Sequence, residues 1–138
     1  MVALVALSSP LVGCYPVRSK SDAIGHYELN VERDGIALDV STDSTFTETI
    51  RWASGKVEKR AGKWIWGKGR IGFEGLWIPK SFAPDYIIQA DSEGDGNQPK
   101  YIEPGYWSMS LENHWGTITI PVFPDADINF KMVKHSSR

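Results

Sequence analysis

From Gly25 onward, apolar side chains recur at every second position, and that rhythm admits little besides β-strands with one buried and one wet face. Tyr27, Leu29 and Val31 oppose His26, Glu28 and Asn30, while Ile36, Leu38 and Val40 oppose Asp39 and Ser41. Phe46, Ile50 and Trp52 alternate with Thr45, Thr47, Thr49 and Arg51. The pattern returns in Trp107, Met109 and Leu111, in Ile118, Ile120 and Val122, and in Ile128, Phe130 and Met132. Two further strands are expected at Lys63 to Gly67, where Trp64 and Trp66 point one way, and at Arg70 to Ile78, where Ile71, Phe73 and Trp77 do. Asp34-Gly35, Ser54-Gly55 and Gly67-Lys68-Gly69 supply residues that tolerate positive φ, so successive strands form antiparallel hairpins. The expected fold class is all-β: an antiparallel meander of about eight strands. Closing the sheet, fully or partly, into a barrel buries one face and removes exposed edges.

The chain of 138 residues fits one such domain, and six Trp, five Tyr and five Phe can fill its core with few side chains. Residues 25–133 are assigned to the barrel and 134–138 to a flexible tail. Between residues 79 and 105 the rhythm lapses, with Pro79, Pro84, Pro99 and Pro104 as punctuation. A connection of that length is usually functional, so it is the candidate flap over a barrel mouth. Its aromatic residues Phe82, Tyr86 and Tyr101, with Tyr106, form the candidate ligand or partner surface.

The sole cysteine, Cys14, ends the apolar run Val2 to Gly13, and Leu11-Val12-Gly13-Cys14 resembles the lipobox of bacterial lipoproteins. The run is too short to span a bilayer. The resemblance implies a signal peptide over residues 1–13, palmitate and further lipid at Cys14, and a tether over 14–24. It also implies a cell-envelope location on a membrane, the outer one facing the periplasm being favoured because Tyr15 is not the Asp associated with inner-membrane retention. With no cysteine after Cys14, the folded part has no disulfide, no thiolate zinc site and no thiol nucleophile.

Gly25-His26-Tyr27-Glu28-Leu29, Asp43-Ser44-Thr45-Phe46 and Gly62-Lys63-Trp64 resemble the Gly-x-aromatic motifs of lipocalin-like small β-barrel domains, a pattern also seen in bacterial lipoproteins. The match runs from Gly25 to Ile78. It implies a lipocalin-like barrel and, as one function, carriage of a small hydrophobic ligand. The first-strand aromatic is Tyr27 rather than Trp, and the last strand offers Lys131 and Lys134 where the family usually places Arg.

Asp91, Glu93, Asp95 and Asn97 space oxygen atoms as in the first half of a calcium loop, yet the twelfth position is Ile102 instead of Glu, so a solvated acidic turn is the expectation. Lys56, Lys59, Arg60, Lys63, Lys68 and Arg70 surround Trp64 and Trp66 and are expected on the wet face of a hairpin around Glu58, with attraction to anionic head groups or lipopolysaccharide as the alternative. A net charge of −2 argues against nucleic acid as partner. His26, His114 and His135 belong to no catalytic motif, and Asp125 and Asp127 flank a turn. Glu74, in an aromatic strand, is the carboxylate singled out for burial and a raised pKa. No cofactor and no enzymatic activity are expected. The functional expectation is a lipid-anchored binding or interaction module, with an envelope protein or a small hydrophobic ligand as its partner.

Overall fold

The computed structural model describes residues 15–16, 19–83, 101–123 and 126–133, with side chains omitted for residues 15–16 and 101–105. Its strands are β1 (Tyr15–Pro16), β2 (Gly25–Val31), β3 (Asp34–Val40), β4 (Thr45–Arg51), β5 (Val57–Gly67), β6 (Arg70–Pro79), β7 (Tyr101–Ser110), β8 (Glu112–His114), β9 (Thr117–Phe123) and β10 (Ile128–Met132). Two short 3-10 turns, Lys20–Ala23 and Lys80–Phe82, complete the described elements.

All neighbouring strands are antiparallel, in the order β1-β8-β9-β10-β2-β3-β4-β5-β6-β7. The ends of that row meet because β7 and β8 are consecutive stretches of one path, broken only at Leu111. The first stretch pairs with β6 and the second with β9. Nine strands, β2 to β10, thus wind into a nearly closed barrel, as the alternation of the sequence requires. Above the β8–β9 ladder, β7 and β9 approach through side chains, with Trp107 and Phe123 edge to face at 6.4 Å.

One end of the barrel carries the turns at residues 41–44, 68–69 and 115–116, and the other carries those at 32–33 and 53–55. The first end is plugged. Ala23 of the first 3-10 turn is buried and accepts a hydrogen bond from the Tyr27 hydroxyl at 2.7 Å. Burial and the nearby Asp22 raise the Tyr27 pKa far above the ordinary phenol range, so the hydroxyl remains a donor. Residues 15–16 and 20–23, expected as tether, are therefore parts of the fold.

The interior is filled by large side chains: Trp64, Tyr27, Phe46, Phe73, Phe82 and Phe130 are all buried. Phe46 meets Phe73 edge to face at 5.1 Å, and Gly62, opposite Phe46 on β5, leaves room for that ring. A β-carbon at Gly62 would press into the Glu74 carbonyl oxygen and come within 2.6 Å of the Phe46 ring. Gly62→Ala is accordingly expected to destabilise the fold by about 1–3 kcal/mol through overpacking. An unchanged urea midpoint would refute that tight contact.

Several expectations need correction. The β2–β3 turn is Glu32–Arg33, with Glu32 at φ 56°, and Asp34-Gly35 lies inside β3, because pairing Val31 with Asp34 buries Ile36 beside Leu29. β5 begins at Val57, six residues earlier than expected, since Arg51 pairs with Val57 and keeps the hairpin tight. β7 begins at Tyr101 despite Pro104, on a strand that, among the described residues, pairs over Tyr101–Ser110 with β6 alone. The irregular connection is correspondingly shorter than residues 79–105. Phe82 is 1 % exposed and belongs to the core, so it is no part of a partner surface. Glu74 is exposed, opposite Lys63 and Tyr106 on neighbouring strands, because it alternates with the inward Phe73.

Candidate functional sites

The buried carboxylate is Glu48, which shares the inward parity of Phe46 and Ile50 on β4 and is fully enclosed. Its Oε2 accepts the Trp77 backbone N–H at 3.2 Å, and its Oε1 has no hydrogen-bond partner among the described residues. Desolvation raises the Glu48 pKa to about 7, against the opposing pull of the Trp77 amide and the Arg60 charge. A carboxyl group in that range holds its proton at mildly acidic pH and releases it on the alkaline side of neutrality.

Arg60 stands directly opposite Glu48 on β5, and its guanidinium lies 4.2 Å from the Trp77 ring centroid. Its Nη2 is 4.0 Å from Glu58 Oε2, which accepts the Trp52 indole N–H at 3.2 Å. Lys56 Nζ reaches Glu58 Oε1 at 2.8 Å. This cluster lies where the wall loosens: the β5–β6 ladder ends at Lys63 and Glu74, and Gly75, at φ 82°, opens a bulge in β6. Glu58 and Arg60 are thus partly buried, whereas Lys56, Lys59, Lys63, Lys68 and Arg70 are exposed. The expected wet face holds for those five and fails for the inward pair, which share the parity of the buried Trp64 on β5.

A second opening lies between β10 and β2, whose ladder comprises only Lys131 with Glu28 and Met132 with Tyr27. The Val133 N–H donates to the His26 carbonyl at 2.8 Å, so β2 turns the backbone of alternate residues, Glu28 and Asn30 included, toward this seam. Beyond Glu28 the ladder stops. A groove of about 410 Å³ runs there, lined by Leu29, Val31, Ile128 and Val133 together with Glu28, Asn30, Asp127, Asn129 and Lys131. Its volume lies within the range of small-ligand sites. Across β10, Asp127, Asn129 and Lys131 also border a groove of about 280 Å³ with His114, Thr117 and Thr119.

His26 lies on the outer wall, with Nδ1 2.6 Å from Asp39 Oδ1 and Nε2 3.2 Å from Glu28 Oε1. The hydrogen bond to Asp39 chiefly raises its pKa; burial opposes that rise, and the hydrogen bond to Glu28 adds a smaller one. His114 pairs with Glu112 at 2.7 Å on β8. Neither histidine shares a hydrogen bond or ion pair with Glu48 in the described set, and no three or more His, Cys, Asp or Glu side chains gather around a metal-sized site among the described residues.

Of the residues singled out from sequence, Tyr106 is 57 % exposed and its ring covers Gly72. Tyr101 opens β7 opposite Pro79. Cys14, Tyr86, Asp91, Glu93, Asp95 and Asn97 lie outside the described residues. Glu48 escaped notice although its parity with Phe46 and Ile50 signals burial; a charged residue at an inward position is the mark that would have found it. The seam has no such mark, being set by where two strands distant in sequence diverge. The chain matches no known family model, no curated protein and no solved structure.

Proposed function

We propose that the protein is a binding module of a bacterial cell envelope, held on its membrane by lipid at Cys14, which takes an extended segment of a partner protein into the seam between β10 and β2. The observation that carries this reading is the seam itself: ligand-sized space bordered by a strand edge whose ladder stops at Glu28. An added strand gains affinity from main-chain hydrogen bonds and specificity from alternate side-chain positions. Here Val31 and Ile128 offer apolar contact, and Asn30, Asn129 and Lys131 offer polar partners.

The lipocalin-like alternative, carriage of a small hydrophobic ligand, draws support from the barrel and from the resemblance of its Gly-x-aromatic segments. Against it stands an interior occupied by Trp64, Tyr27, Phe46, Phe73 and Phe130. A binding role is preferred to catalysis because, among the described residues, no hydrogen bond joins Glu48, the His26–Asp39 pair and the His114–Glu112 pair into one site.

The test introduces a photoreactive phenylalanine analogue at position 30 or at position 47, on the exposed outer wall of β4, in the lipidated protein in its host. Position 30 is expected to form a discrete polypeptide adduct that position 47 does not form. Equal labelling at both would refute the seam as the site, and a lipid-sized adduct confined to position 30 would move the reading to the carrier.

A further inference from the structure

At the tip of the β8–β9 hairpin stands Trp115, 74 % exposed, with φ at 53°. That left-handed conformation suits glycine or asparagine and is costly for a bulky residue, and exposing an indole to water is costly as well. The turn does not need the ring: the Gly116 N–H donates to Asn113 Oδ1 at 2.8 Å, and Gly116 takes φ 86° beside it. Such a residue points to something outside the molecule.

The entering chain indicates what that is. β1 runs along the same hairpin, pairing Pro16 with Glu112 and Tyr15 with Asn113, so the chain heads toward the tip as it is followed back to Tyr15. Tyr15 directly follows Cys14 in the sequence, so on the anchored reading the lipid is attached one residue before β1, whose first residue pairs with Asn113 near the tip. The adjoining turn is tied to the hairpin by the Leu111 N–H to Gly69 carbonyl hydrogen bond at 3.2 Å, and it carries the exposed Lys68.

We infer that this end of the barrel is a membrane-docking face, with the Trp115 indole seated at headgroup level and Lys68 beside anionic phosphates. Indole rings favour that interface because one part is apolar and the N–H remains hydrogen-bonded, and basic side chains near a bilayer surface are drawn to anionic lipid. The groove between β10 and β2 opens toward the opposite end and is thereby presented away from the bilayer. The inference rests on the anchored reading of Cys14.

The experiment uses the full lipidated protein on phosphatidylethanolamine and phosphatidylglycerol vesicles with brominated acyl chains, read by flotation and by quenching of tryptophan emission. The wild type and Trp115→Ser are expected to float alike, with bromine quenching falling roughly threefold in Trp115→Ser because the interfacial indole dominates contact with the chains. Trp52→Phe, at the opposite end, is expected to keep the wild-type quenching. Equal quenching in the wild type and Trp115→Ser, with both floating, overturns the docking face and leaves the anchor standing. A wild type that does not float, or a Cys14→Ser chain that floats as well as the wild type, overturns the anchor and this orientation with it.

Discussion

Trp64→Ala is expected to lower the unfolding free energy by about 3–5 kcal/mol, the range for removing a large aromatic side chain from a packed interior. The ring is 1 % exposed, and its loss would leave a cavity beside Phe73, its cross-strand neighbour. Two further side-chain ties raise the cost. The Trp64 Nε1–H donates to the Ser41 carbonyl at 2.8 Å, and Lys20 Nζ lies 5.2 Å from the ring centroid. One side chain thereby joins the first 3-10 turn, the β3–β4 turn and the barrel wall. The adjacent Ile65 is 52 % exposed, and Ile65→Ala is expected to cost well under half as much. Urea unfolding of the two variants would decide the matter, and equal losses would contradict the packing described.

The second large effect is a pH dependence governed by Glu48. Its folded-state pKa of about 7 stands above the ordinary 4.5, so the folded protein binds the proton more tightly than the unfolded chain. Well below about pH 4.5 both states are protonated and Glu48 makes no pH-dependent change in stability. As pH rises from there to about 7, the unfolded chain ionises first and stability falls. The shift corresponds to about 3 kcal/mol, fully lost on the alkaline side of that window.

Glu48→Gln is expected to remove this fall, so that its unfolding free energy changes less between pH 4.5 and 8 than that of the wild type. His26 contributes a decline of the same sign: its pKa is raised by Asp39, so its contribution is complete below 6.5 and is lost as pH rises through the folded value. That decline should persist in Glu48→Gln. Asp43 acts in the opposite sense at acid pH, because its pKa is lowered by hydrogen bonds from Thr45 and the associated stability disappears as it protonates. Denaturant titrations of both proteins across the range would show equal declines in the wild type and the variant if Glu48 is not a source.

A buried carboxyl with one oxygen lacking a hydrogen-bond partner among the described residues is an unusual thing for a barrel wall to keep. Protonation lowers its cost, and Arg60 opposite limits the penalty once it ionises. Glu48 accepts the Trp77 N–H of β6, next to the point where β5 and β6 diverge at Gly75.

The two-residue period found eight of the strands but not β1, β8 or the early starts of β5 and β7, because a half-buried strand must alternate whatever its neighbours are while its ends depend on those neighbours; Tyr27, Leu29, Ile36 and Leu38 are buried as their parity requires. The same parity applies to Glu48, whose charge masks the burial its position between Phe46 and Ile50 implies. The Asp34-Gly35 pair misled for a related reason. A local turn preference is worth less than the burial of Ile36 and Leu29 in register, so the turn moved to Glu32–Arg33.

Tertiary structure alone decided the rest. The bend at Leu111 closes the barrel by letting one path serve two neighbours, and the seam exists because β10 and β2, far apart in sequence, share only two ladder pairs. Neither has a local sequence signature. Local chemistry dictates which face of a strand is buried, but where a ladder starts and stops depends on the twist and packing of every strand between its partners.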